Sequence, residues 1–422
     1  MRLSLVPILC AFIFILLPLS AWSEPALVIN ELLASSDRDP VDETPRDWIE
    51  IYNPNDRPID LTGYILTDDA MGGSQWIFPP AEISPQEHFL VWASTKDRRI
   101  GDELHANFAL SRTGESVGLR DPEGNLIDSV YFGRQRAGVS YGRQPDGSDN
   151  WYYFDEPTPG YSNSTFAFLG YTAKPVFSTP PGIYQQSIVV EINSAGEGTT
   201  LTYTLDGSEP TQESNVYTEP IYVRQTTPVR VRAFAPDYLP SDILTGTWLI
   251  REEIHLPVLS LVTDPDHLWN RRTGIYENST QHGRAWERPA SVEFFSKDGT
   301  RMFGVDAGLR IHGGASRTRS PKRSFRLYFR GEYGPRKLEA PLFPDTDVES
   351  FDRLVLRGGF NDTWTYDKAM QRETAIYVSD QVVRDLHNDM GFVAPHGIYA
   401  QLYLNGEYWG LYNPCDRIDP HF

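Results

Sequence analysis

Cysteine is almost missing from this chain: 422 residues carry two, Cys10 and Cys415. Cys10 falls inside an N-terminal apolar run that reads as a cleaved signal, so one thiol remains. That excludes an internal disulfide and any cysteine-based zinc site. The nine histidines include no His-Glu-x-x-His spacing, so no dedicated metal site is expected. Gly-x-Ser-x-Gly spacing occurs at residues 114–118 and 138–142, but neither stretch leads from a strand into a helical pattern, so no nucleophile elbow and no serine hydrolase is expected. Positive charge is scarce, with 38 Lys and Arg against 57 Asp and Glu and a net charge of −19. Such a balance excludes nucleic acid as a general partner, because a phosphate backbone needs a basic surface. Long apolar runs are lacking after residue 19, so no membrane partner is expected once the signal is removed. The acidic stretch at residues 37–43 lacks the ordered spacing of a calcium loop and reads as solvated.

What is present starts with that signal. Arg2, an apolar run at residues 3–19 and Ala21-Trp22-Ser23 predict cleavage after residue 23 and a secreted or cell-surface protein. Hydrophobic content of 40% and 13% aromatics suffice for packed cores, and 422 residues suggest two to four domains. Thirty-three Gly and 32 Pro, with many Tyr, Val and Thr, favour short strands and turns.

Residues 24–162 alternate apolar and polar positions in short runs such as DWIEIYN, HFLVWAS, ESVGLRD and NLIDSVYFG, each bounded by turn residues. INELLAS, DLTGYILTDD, HANFALSRTGESVGL, VSYGRQPDG and the closing PTPGYSN resemble a lamin-tail domain, which implies an immunoglobulin-like sandwich. A linker at 163–174 leads to a second β module at 175–250. There YTLDGSEPT, IYV and VRVRAFA resemble the small sandwich at the C-terminus of chitobiases and hexosaminidases. Nothing in it supplies a paired-carboxylate glycosidase site. Asn163, Asn278 and Asn361 stand in Asn-x-Ser/Thr sequons.

From residue 255 the texture changes to mixed α and β. The segment GLRIHGGASRTRSPKRSFRLYFR, residues 308–330, sits in a window with ten Lys and Arg against three Asp and Glu. Cations beside a Gly-Gly turn suit a phosphate-bearing ligand. Lys322 is the leading candidate, with Arg326 on the same strand face extending a positive wall. The alternative is a solvated strand face. Residues 368–390 are expected to form one helix whose apolar positions Ile376, Val382, Val383, Leu386 and Met390 recur at helical spacing. LYL-NG-EYW predicts a two-residue hairpin.

PVLSLVTDPDHLW, WERPASVEFF, GLRIHGGASR, SPKRSFRLYFR, LVLRGGFNDTW, MQRETAIYVSDQVVRDL and LYLNGEYWGLYN together resemble a CotH-type atypical kinase over 255–422. The resemblance implies ATP with Mg or Mn, with Lys322 contacting the nucleotide phosphates and Glu373 offering that lysine a carboxylate. Arg310 and Arg357, each at a glycine turn, are further candidates for the same cleft. In that family the acidic catalytic residues lie beyond the hairpin. The chain is therefore expected to hold only the first part of such a domain, with no catalytic residue assigned. Cys415-Asp416 departs from the family pattern. The expected architecture is multidomain and mainly β: two immunoglobulin-like β-sandwiches, then a partial α+β kinase-like lobe. Two functions are compatible with it. One is an exported relative of protein kinases acting on protein hydroxyls. The other is a non-catalytic surface or extracellular interaction protein that uses its sandwiches.

Overall fold

A computed structural model describes residues 26–34, 46–101, 103–193, 196 and 198–417. The signal at 1–23 and the acidic stretch at 37–43 lie outside the described residues. The protein is multidomain and mainly β, as expected. No helix among the described residues is long and apolar enough to cross a membrane.

In the first sandwich, a six-stranded sheet centred on Val28–Leu33 and Asp47–Tyr52 faces a four-stranded sheet containing Glu115–Arg120 and Leu126–Phe132. Alternation sends Ile29, Ile49, Ile51 and Val91 inward against Leu66, Trp76, Val117 and Leu119, all fully buried. The same period turns Glu50 to the other face, and a bulge between Ile29 and Glu31 shifts Glu31 there as well, so the two stand directly opposite each other on neighbouring strands. Neither is solvent-exposed, because the PTPGYSN segment covers them. The Gly160 amide donates to Glu50 at 2.6 Å, and Thr158 and Ser140 donate to Glu31. Asn163 is buried here and donates to the Arg143 carbonyl, so this sequon is closed to modification in the folded protein.

Burial raises Glu31 to about 7 and Glu50 to about 8, so both are largely protonated in mildly acidic solution. Burial pulls His88 down, but Asp146 and Glu50 more than offset it and its net direction is upward. Asp146 is held low by hydrogen bonds that outweigh its own burial. A carboxyl whose folded pKa lies above its unfolded value stabilises fully below the unfolded pKa and loses that contribution as pH rises through the folded one. His88 has the same sign, and only Asp146 favours higher pH. The first sandwich is therefore expected to weaken by roughly 5 kcal/mol between pH 5 and 9. Hydrogen exchange of strands Val28–Leu33 and Asp47–Tyr52 in the full chain, corrected for intrinsic rates, measures this. Glu50→Gln should flatten the dependence.

The second sandwich pairs a five-stranded sheet containing Thr227–Phe234 and Leu244–Ile250 with two small strand pairs around Val190, Ile192, Val231 and Trp248. Asp242 ties it to the first sandwich through Arg134 at 2.7 Å and Arg136 at 2.9 Å, and Arg136 also stacks on Tyr171.

The remainder takes a more specific form than the expected α+β lobe. Seven strands close into a barrel in the order Val258–Val262, Arg288–Phe295, Arg301–His312, Ser324–Tyr328, Arg353–Arg357, Glu407–Cys415 and Ala400–Leu404. The last strand returns to pair in parallel with the first. Leu259, Val292, Leu309, Ile311, Phe325, Leu327, Leu356 and Leu402 fill the interior. The Asn405-Gly406 hairpin forms as expected, with positive φ at both residues.

The single helix expected at 368–390 is two, Ala369–Thr374 and Ser379–Asp389. Between them Tyr377 adopts a positive φ of 64°, and the Asp362 carboxylate takes the Ile376 and Ser379 amides that a continuous helix would bond internally. The orientation also differs. Ile376, Val382, Val383, Leu386 and Met390 are exposed, whereas Gln381 and Arg384 are buried. Arg384 donates to Gln381 at 2.7 Å and also to Asn413, so hydrogen bonding rather than the apolar stripe seats this helix on the barrel.

Candidate functional site

Strands Arg301–His312 and Ser324–Tyr328 run antiparallel with Arg310 opposite Arg326 and His312 opposite Ser324. Two guanidinium groups facing each other across one ladder repel unless counter-charge is supplied. For Arg310 it comes from Glu287, whose side chain is fully buried and lies 2.6 Å from Arg310 and 3.0 Å from Arg330. Gly308 is required by this arrangement, since a Cβ there would lie 2.5 Å from the Glu287 carboxylate. All three guanidinium groups surround the Tyr328 ring, with Arg310 at 4.4 Å, Arg330 at 4.9 Å and Arg326 at 5.8 Å.

Arg326 is different. Its donors meet the His312 Nδ1 at 2.6 Å and the Tyr328 hydroxyl at 3.1 Å, and no carboxylate pairs with it among the described residues. Burial, and then Arg326 itself, hold His312 down at about 4, so its ring is neutral at physiological pH. A neutral imidazole that accepts at Nδ1 carries its proton on Nε2, where it is a donor.

These groups line a cavity of about 400 Å³ closed by Gly313-Gly314 and by Arg317. Arg317 acts as a brace, donating to the carbonyls of Gly313, Ser279, Gln281 and Ile311 and so fixing the glycine turn. A second cleft of about 260 Å³ shares His312 and Gly313 with the first and continues to Arg357, Gly358-Gly359, Asp362 and Asn413. Its carboxylates are already engaged. Asp362 holds the helix break, and Asp380 pairs with Arg357 and Arg384, each at 3.1 Å.

Lys322 lies two residues ahead of the strand rather than on it, so it does not share a face with Arg326. It is half-buried and donates to the Leu411 carbonyl beneath the rings of Tyr412, at 4.7 Å, and Tyr377, at 5.9 Å. Those residues wall the second cleft. Burial lowers the lysine to about 8. Glu373 stands exposed on helix Ala369–Thr374, and no ion pair joins it to Lys322 among the described residues. The structure thus brings Arg310 and Arg326 together and separates both from Lys322 and Glu373. Sequence reading did not single out Glu287, His312, Arg317 or Tyr328. Only the pairing of Arg288 with Leu309 carries Glu287 alongside Arg310, and no local spacing encodes that contact.

Fold and site together define a β-rich protein of two sandwiches and a barrel, with an arginine-lined, glycine-edged cavity at the barrel's rim. Three family models match its segments. They are the lamin tail domain over residues 21–134, the chitobiase/beta-hexosaminidase C-terminal domain over 179–245 and the CotH kinase protein over 309–422. The last begins within strand Arg301–His312 and contains Arg310, Arg326 and Lys322, which relates this part of the chain to CotH kinases. No curated protein matches the chain.

Proposed function

We propose that this chain is an exported relative of CotH kinases whose barrel binds the phosphates of a nucleotide such as ATP. The observation that supports the reading most is Arg326, a half-buried guanidinium facing another arginine, without a carboxylate partner among the described residues, in a cavity edged by Gly313-Gly314. A cation withdrawn from water needs an anion, and a phosphate oxygen between Arg310, Arg326 and the His312 Nε2–H supplies one. Lys322 contributes longer-range attraction from behind the second cleft.

The described residues fit the phosphates better than their metal. Asp362 and Asp380 are committed to backbone amides and to arginines, so no step of phosphoryl transfer is assigned to them. Relatives that transfer phosphoryl groups to protein hydroxyls make a protein acceptor the natural partner. Equilibrium dialysis with radiolabelled ATP, pyrophosphate and adenosine tests the reading. Binding of the first two, weakening as salt is raised, is expected, and equal binding of adenosine would sink it. Because Lys322 loses its proton above about pH 8, affinity should decline there in the parent chain and not in Lys322→Ala.

A further inference from the structure

A separate concavity of about 660 Å³ opens where the second sandwich meets the barrel. Its barrel side is a pair of indoles. Trp269 ends helix Pro265–Trp269, Trp409 lies on strand Glu407–Cys415, and their ring centroids are 6.0 Å apart at 54°. Facing them, the sandwich supplies Asp206 and Gln225, and Glu252 and Glu407 complete a polar rim. Trp269 keeps 40% of its surface exposed, an uncommon state for the largest apolar side chain.

The seam that holds these groups is tightly built. The Asn405-Gly406 turn is pressed into the sandwich so closely that a Cβ on Gly406 would lie 2.6 Å from Pro228, and one on Gly207 would lie 2.6 Å from the Asn405 side chain. Asn405 bonds both the amide and the carbonyl of Thr263 at 2.9 Å. Thr247 and Ser260 share a buried hydrogen bond of 2.8 Å across the boundary. The indoles and the carboxylates therefore keep a fixed relation to one another.

The chemistry of the lining selects the ligand. Among the described residues no Lys, Arg or His lines this concavity, so its carboxylates repel the phosphates that suit the arginine cavity. The two indoles contact each other, which leaves no gap for an ammonium held between two faces and forms one bent platform instead. Glu252 already accepts from Tyr403 at 2.9 Å, and Asp206 accepts from Ser208, so each carboxylate is oriented with lone pairs to spare. An exposed indole face rimmed by acceptors and an amide matches a ring with C–H faces and outward hydroxyls. We propose that this seam is a saccharide-binding site, with a neutral pyranose ring stacked on Trp269 and its hydroxyls donating to Asp206, Glu252 and Glu407.

Native electrophoresis of the full chain through gels containing hydroxyethylcellulose, glycol chitin, dextran or mannan tests the site. At least one of these should retard the protein. Trp269→Ala should weaken that retardation at least about tenfold, and Trp269→Phe, which keeps a ring packed on Tyr276 and Trp409, should retain part of it with the thermal melt of the parent. Arg326→Ala should migrate as the parent does, which separates this site from the phosphate cavity. Absence of retardation in every gel overturns the proposal, as does equal retardation of Trp269→Ala. So does calorimetric binding of poly-L-lysine that Glu407→Gln weakens while no polysaccharide binds, because the seam would then be a cation site.

Discussion

Replacing Arg326 with alanine is expected to lower ATP affinity by roughly 10- to 100-fold, the equivalent of one or two charge-assisted hydrogen bonds. Lys322→Ala should cost less. Its ammonium is engaged with the Leu411 carbonyl and two tyrosine faces, whereas Arg326 has donors committed only to a neutral imidazole and a phenol. The same substitution should leave the unliganded protein as stable as before, or slightly more so, because it removes a like charge directly across the ladder from Arg310. Loss of ligand without loss of stability is the signature of a binding cation rather than a structural one. Dialysis and thermal melts on the same samples read both quantities. Unchanged ATP affinity in Arg326→Ala would reject the cavity as the phosphate site.

Glu287→Ala should be among the most damaging single changes in the barrel, destabilising it by about 3–5 kcal/mol. Its carboxylate is fully buried and is shared by Arg310 and Arg330, so its removal leaves two cations without compensation in a desolvated setting. Glu287→Gln keeps the shape but not the charge and should fall between alanine and the parent. Denaturant unfolding followed by tryptophan fluorescence measures the difference. A double variant, Glu287→Met with Arg310→Leu, should recover part of the loss, since an apolar pair of similar volume avoids the desolvation cost. If Glu287→Ala alone unfolds at the parent's midpoint, the ion triad contributes nothing and the cavity's wall is held by packing.

Most of the strands were legible from local pattern. Period-two alternation located the core face of Ser324–Tyr328, because a strand's side chains alternate whatever its partners are, whereas in Asp47–Tyr52, buried on both faces, it located the strand alone. Asn405-Gly406 specified its hairpin for the same local reason, a backbone conformation with positive φ that those residues adopt readily. Helical spacing at residues 376–390 misled on both continuity and orientation. Periodicity registers that an apolar stripe exists, not which surface is available to cover it. Here Arg384 and Gln381 found partners on the barrel while the stripe did not. The candidate site was half legible. A basic, glycine-turned segment pointed to the stretch that forms the cavity wall, and Arg310 and Arg326 line that one cavity.

By itself the sequence determined composition, charge, strand alternation and the identities of three modules, all of which depend on residues close together in the chain. Only the tertiary structure decided which cations share a cavity. Closure of the barrel brings Glu287 to Arg310, opposes Arg310 to Arg326 and turns Lys322 toward a different wall. Those outcomes follow from strand register and from the direction of a ladder, which sum contributions from segments tens of residues apart. The sign of each pocket is a property of that sum, so an acidic chain can hold one cationic cavity and, at the seam of two modules, one lined by carboxylates.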